Sequence, residues 1–159
     1  MPRIEETIEI AAARADVFRF CHDLKYRPSW DEQVERMELL TPKPFRQGTL
    51  LRIDAKASGG VIFSWDAEVI SYQLPSISKV RVIDAASTSP FAPGSELSWE
   101  FNSAGSGTRL KWVWNYKPYG IIANIMDKLG RRASTQKAIR RSLESLKTAL
   151  ESGHRAGVN

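Results

Sequence analysis

The chain has 159 residues and a mass of 17.9 kDa, the size of one ordinary domain. Hydrophobic residues at 42% and charged residues at 26% exclude a disordered chain, and no apolar run approaches the ~20 residues of a membrane-spanning helix. A lone cysteine, Cys21, excludes an internal disulfide, and with only two histidines beside it neither a structural zinc site nor any other metal or cofactor is expected.

The opening Met1-Pro2-Arg3-Ile4-Glu5-Glu6 is acidic and lacks an apolar stretch, so no secretory signal is expected and the reducing cytoplasm is the expected setting. The net charge is +5, unevenly placed: from Lys117 onward there are nine basic and three acidic residues, so the whole excess sits in the C-terminal segment. Such a surplus suits either an anionic partner or the solvated back of an amphipathic helix. Aromatic residues do not interleave with these cations and no nucleic-acid motif is present, so nucleic acid is not an expected partner. A membrane surface is the weaker alternative.

In chain order, Glu5 to Ala11 alternates with period two, the mark of a half-buried strand. Ala15 to Leu24 changes period. Val17, Cys21 and Leu24 form one buried face of a short helix flanked by Phe18 and Phe20. Pro28 is expected to stop helical structure, with Ser29-Trp30-Asp31 a turn or short helical piece. Six alternating stretches follow: Val34 to Leu40, Thr49 to Ala57, Ile62 to Tyr72, Ser78 to Asp84, Glu96 to Asn102 and Arg109 to Lys117. Turn signals separate them, including Pro42, Pro44 and Gly48, the hairpin signal Ser58-Gly59-Gly60, Pro75-Ser76 and Gly105-Ser106-Gly107. Residues 85–94 read as a loop.

The last segment switches to helical period. Ile122, Ile125, Met126, Leu129, Ala133, Gln136, Ile139, Leu143, Leu146 and Leu150 form a continuous stripe, which predicts one long helix over 121–152. Gly130 is the point where it would break or bend, and Gly153 a C-terminal cap. The tail 154–159 has no pattern and is expected to be disordered.

Strands joined by short turns must be antiparallel, and each has one apolar face. The terminal helix is the element large enough to cover that face. The expected class is therefore α+β, a single domain over 1–153 with a twisted sheet curling around the helix. The inward parity carries Phe63, Trp65, Trp99, Phe101, Trp112, Trp114 and Tyr116. These rings either fill the space under the helix or line a hollow that takes a small apolar ligand.

Two stretches carry a family resemblance. Ile8-Glu9-Ile10, then Ala15-Asp16-Val17-Phe18-Arg19-Phe20-Cys21-His22-Asp23-Leu24 and Pro28-Ser29-Trp30, resemble the N-terminal signature of the START-like (SRPBCC) superfamily. Gly107-Thr108-Arg109-Leu110-Lys111-Trp112, with Tyr116-Lys117-Pro118-Tyr119-Gly120 and the long helix, resembles its polyketide cyclase/dehydrase branch. The similarity spans nearly the whole chain. It departs at Ala11-Ala12-Ala13, where many members have a proline. It implies a helix-grip fold, a curved seven-stranded antiparallel sheet wrapped around the long C-terminal helix and enclosing a hydrophobic cavity. It also implies that the segment holding Trp30 borders that cavity. The candidate ligand-binding residues are Trp30, Phe63, Trp65, Phe91, Trp99, Phe101, Trp112 and Trp114, with Ile122 and Met126 from the helix.

No catalytic constellation is visible. His22 lies off the buried stripe of its helix and is expected at the surface near the helix end. Asp23 suits a local turn bond. Cys21 falls on the buried stripe and reads as a small hydrophobe. Arg52, Asp66 and Arg109 fall on the polar parity and face solvent. Phe91, in the 85–94 loop, is a candidate cover for the cavity mouth. The leading expectation is non-catalytic binding of a small hydrophobic molecule. The alternatives are a polyketide aromatase/cyclase-like enzyme using the same cavity, and an anionic-surface module built on Arg131, Arg132, Arg140 and Arg141.

Overall fold

A computed structural model describes residues 1–57 and 60–153. Ser58 and Gly59 of the expected hairpin signal, and the tail 154–159, lie outside the described residues. The elements are β1 (Arg3–Ile10), α1 (Arg14–Cys21), α2 (Arg27–Trp30), β2 (Val34–Leu39), β3 (Leu50–Lys56), β4 (Ile62–Gln73), β5 (Ile77–Ala85), β6 (Glu96–Ala104), β7 (Gly107–Asn115), α3 (Gly120–Met126) and α4 (Arg132–Glu151). All seven strands form one antiparallel sheet in the order β1-β7-β6-β5-β4-β3-β2.

The period-two reading carries through to the pairing. Trp99 stands opposite Trp112, Leu97 opposite Trp114 and Phe101 opposite Leu110, so the large rings share one face. Ala55 opposite Phe63 and Ile53 opposite Trp65 continue that face across β3 and β4. The outer face is held by cross-strand ion pairs such as Arg52–Asp66, Arg81–Glu96 and Arg109–Glu9. These exposed pairs contribute little stability each, and their use is to keep charge on the solvent side.

Bulges curve the sheet. The register shifts between Val34 and Arg36 in β2, and at Asp66/Ala67 and Val69/Ser71 in β4. An extra residue on one strand bends it and raises its twist. Along the β4–β5 pair the extra residue is Ile83 on β5 at the first shift and Ile70 on β4 at the second, and these bends curve the sheet into a half-barrel. Next to the opposite edge strand β1, β7 starts on Gly107, where a Cβ would clash with the Ile10 carbonyl oxygen. Only glycine permits that close approach.

Into the concave face α4 places Ile139, Leu143, Leu146 and Leu150, all buried. Its polar flank is also used. Glu6 of β1 accepts hydrogen bonds from Arg140 Nε at 2.7 Å and Gln136 Nε2 at 2.8 Å. Arg141 pairs with Glu32 at 2.6 Å. Two of the C-terminal cations, Arg140 and Arg141, thus dock the helix onto acidic groups of the preceding chain.

The single helix expected over 121–152 is interrupted. Gly130 has φ of 143°, within a wide turn over Asp127–Arg131 that separates α3 from α4. The joint is fastened by a buried network. The Tyr116 hydroxyl donates to Asp127, and Arg132 pairs with the same carboxylate at 2.6 Å. Burial first, and the Asp127 carboxylate second, push the Tyr116 phenol up to about 12. Before the joint α3 turns its apolar side outward, with Ile121, Ile122 and Ile125 more than half exposed, and Leu129 in the turn itself is exposed as well. Pro28 also differs from expectation, for it lies inside α2 and not beyond it. In a first helical turn the missing N–H would have had no partner anyway.

Candidate functional site

The concave face is divided. At one end it is solid. Phe18, at the heart of α1, is fully buried, with ring centroids 4.9 Å from Phe101 and 5.2 Å from Tyr72. His22 completes this plug and corrects the surface position expected for it. Its ring stacks on Phe18 at 4.2 Å and meets Trp99, Tyr72 and Phe45 edge-on. Nδ1 lies 2.7 Å from the Phe18 carbonyl and Nε2 lies 2.7 Å from the Ser78 hydroxyl. A carbonyl only accepts, so Nδ1 carries the proton and Nε2 accepts from Ser78. Burial among rings pushes the imidazole down to about 4, so it is neutral at pH 7. The neighbouring Cys21 is buried, and burial pushes its thiol far up, which makes it inert.

At the other end the sheet and α4 do not meet, and a cavity of about 530 Å³ remains. Its floor is Phe63, Trp65, Phe91, Trp112 and Trp114 with Ile53, Ala55, Ala67, Val80, Val82 and Leu97; Thr135, Ala138 and Ile139 of α4 form the roof. The exposed side chains of Glu32, Lys56, Lys137 and Arg141 surround the opening. Volume and apolar lining are those of a small-molecule pocket.

The fold positions each wall in turn. Trp65 is held by its indole N–H, which donates to Ser89 Oγ at 2.9 Å. Ser89 in turn donates to the Phe91 carbonyl and accepts from the Phe91 N–H. The 86–95 loop is therefore a fixed wall, tied also by Ala92 N–H to the Lys117 carbonyl at 2.7 Å. Phe91 lies edge-on to both Trp114 and Tyr116.

Of the sequence-predicted residues, Phe63, Trp65, Phe91, Trp112 and Trp114 line this cavity. Trp30, Trp99 and Phe101 are buried in the solid part of the interior instead. Ile122 and Met126 stand on the outer surface of α3, away from the cavity, because the break at Gly130 removes them from the roof. Arg52, Asp66 and Arg109 remain on the outer face in ion pairs, and Asp23 accepts from the Lys25 N–H. Three arginines of the supposed anionic-surface patch are engaged: Arg132 with Asp127, Arg140 with Glu6 and Arg141 with Glu32.

One group escaped sequence reasoning. Arg27 and Asp31, one helical turn apart on α2, form an ion pair of 2.7 Å in the cavity wall and are 7% and 1% exposed. The Arg27 guanidinium lies over Trp99 at 4.4 Å, Trp30 at 5.1 Å and Trp112 at 5.8 Å. It marks the border between the solid and hollow ends. The four-residue spacing of these opposite charges permits a pair, but nothing in the sequence says that it faces inward. Among the described residues no cluster of three or more His, Cys, Asp or Glu side chains is placed to hold a metal.

No curated protein matches the sequence. Solved structures show the fold. A protein of Thermus thermophilus is 21% identical with a TM-score of 0.78, over 96% of this chain and 99% of its own. The Zhui aromatase/cyclase from a Streptomyces species is 16% identical with a TM-score of 0.77, over 99% of both chains. A major latex-like protein from Panax ginseng is 12% identical with a TM-score of 0.67, over 96% of this chain and 97% of its own. The chain shares the helix-grip architecture of these structures, a curved seven-stranded antiparallel sheet against a long C-terminal helix. The family model described as polyketide cyclase / dehydrase and lipid transport matches residues 1–151, and the chain belongs to that family.

Proposed function

We propose that the protein binds a small hydrophobic molecule, aromatic or polyketide-like, in the cavity under α4, without converting it. The observation that carries this reading is the hollow itself, about 530 Å³ floored by five aromatic rings. Burying a planar apolar guest there gains ~25 cal/mol per Å² of area before binding costs are subtracted. The family and the aromatase/cyclase among the similar structures support the chemical class. Cyclisation would call for a side chain passing protons inside the cavity. The charged pair of the wall is internally neutralised, and the remaining lining charges stand at the rim. His22, the best acid–base group by type, is half-buried in the plug, away from the cavity lining, with both nitrogens engaged. Binding is therefore the reading adopted over turnover.

The test is titration with N-phenyl-1-naphthylamine, a neutral apolar probe that brightens in dry surroundings. The wild type should bind it with a micromolar Kd. Ala138→Phe, at a half-buried position in the roof, adds a ring inside the hollow and should weaken binding by about ten-fold or more, with thermal stability retained. No binding by the wild type, or unchanged binding by the folded variant, overturns the proposal.

A further inference from the structure

The Arg27–Asp31 pair is a costly thing to keep in an aromatic wall. Desolvating two charges commonly outweighs their attraction, so such a pair is weak support for a fold. The two partners are also unequally satisfied. Asp31 accepts from Arg27 Nε at 2.7 Å, from the Gln33 N–H at 3.1 Å and from the Ser142 hydroxyl at 3.3 Å. Both of its oxygens are engaged. Arg27 has five N–H groups, and among the described residues only Nε has a hydrogen-bond partner. Both terminal amino groups are left over on a side chain that is 7% exposed and lines the cavity.

Its orientation is fixed. Nε is tied to Asp31, and the plane is packed against the indoles of Trp30, Trp99 and Trp112. Such a guanidinium has little rotamer freedom left, so the unused donors are pre-organised. These donors have no partner among the described residues and sit on a side chain that lines the cavity, so an acceptor oxygen entering it reaches them without displacing a protein hydrogen bond.

We propose that Arg27 is the polar anchor of the cavity, and that it selects a planar apolar ligand bearing one uncharged hydrogen-bond-accepting oxygen, a ketone above all, which enters oxygen first. This rests on the reading of the cavity as a binding site and adds which end of the ligand points inward. The charge state follows from Asp31. A carboxylate would add a second negative charge beside a cation already neutralised, at the cost of its own desolvation. A carbonyl oxygen takes up the free N–H groups without bringing charge.

The experiment uses three probes with one skeleton: 9-fluorenone, fluorene and fluorene-9-carboxylate, measured by calorimetry with the full chain. The expected order for the wild type is ketone tightest, by about ten-fold over the hydrocarbon, and carboxylate weakest. In Arg27→Met/Asp31→Asn the pair is replaced together, and the asparagine oxygen still serves Gln33 and Ser142. Fluorene affinity should hold while the ketone's advantage disappears. Arg27→Lys, which keeps the charge but not the fork of donors, should lose most of the advantage too, and serves if the double variant does not fold. Equal binding of ketone and hydrocarbon by the wild type, or a carboxylate that binds tightest, overturns the anchor while leaving the cavity reading intact. Failure of both neutral probes to bind overturns both.

Discussion

The two ends of the concave face are built from the same strands and nearly the same side chains, yet one is packed and the other is hollow. Along β6, Leu97 borders the cavity, Trp99 lies beneath Arg27 and Phe101 is locked in the plug. Along β4, Phe63, Trp65 and Ala67 line the cavity, whereas Tyr72 packs on Phe18 and His22. The difference lies in what covers them. α1 brings Phe18 and His22 down onto one end, and α4 presents Thr135, Ala138 and Ile139 at the other, too short to fill it. Aromatic residues on a strand therefore do not specify a core or a pocket; the opposing layer decides.

The strongest way to break this comparison is to remove bulk from the packed end. Phe101 is fully buried and touches Phe18, His22 and Trp99. Phe101→Ala should lower unfolding free energy by about 3–5 kcal/mol in urea titrations, through lost transfer energy plus a cavity that cannot collapse. Probe affinity at the hollow end should stay within about two-fold. Ala138→Phe, the reverse change at the hollow end, should do the opposite: little change in stability, large change in affinity. If both substitutions lower stability alike, the interior is one continuous packed core and the division is wrong.

A second effect isolates the plug through pH. His22 titrates at about 4 in the folded chain against 6.5 for an ordinary histidine. Below 6.5 the unfolded chain therefore binds a proton that the folded chain refuses. Stability is fully present above that value and is lost as pH falls from 6.5 toward about 4. Between about pH 7.5 and about pH 5.0 the loss should be about 2 kcal/mol, before most carboxylates take part. His22→Gln should flatten that slope. A wild-type stability that is level over this window would mean that the imidazole is hydrated and the plug open.

How much of this was legible follows from which interactions are local. Strand parity is a property of the backbone alone, so Phe63, Trp65, Trp112 and Trp114 could be assigned to the inner face from their spacing. Whether a ring on that face meets a helix or a void depends on contacts far away in sequence, and Trp99 and Phe101 carry no local mark separating them from Trp112. His22 was misplaced because a helical wheel describes one helix against one surface. At the last turn of α1 the sheet curls over the helix, and a residue off the stripe is enclosed as well. Arg27 was missed because a charged side chain is taken as solvated unless a partner is known. Its partner Asp31 becomes visible only once α2 faces the cavity.

The smallest expected effect probes the limit of periodicity. Ile122, Ile125 and Leu129 repeat at the three- and four-residue steps that also space Ile139, Leu143 and Leu146, and sequence alone joins them into one stripe. Positive φ at Gly130 cuts that stripe. Downstream, Leu143 and Leu146 are buried at 2% and 0% exposure; upstream, Ile122 is 79% exposed. A side chain already in water loses little on becoming polar, so Ile122→Ser should change unfolding free energy by no more than about 0.5 kcal/mol. Leu143→Ala, a smaller chemical change, should lose about 2–5 kcal/mol. The pair measures whether the core ends at the Tyr116–Asp127–Arg132 joint. A loss above about 1 kcal/mol at Ile122 would place α3 against the sheet and return Ile122 and Met126 to the cavity roof.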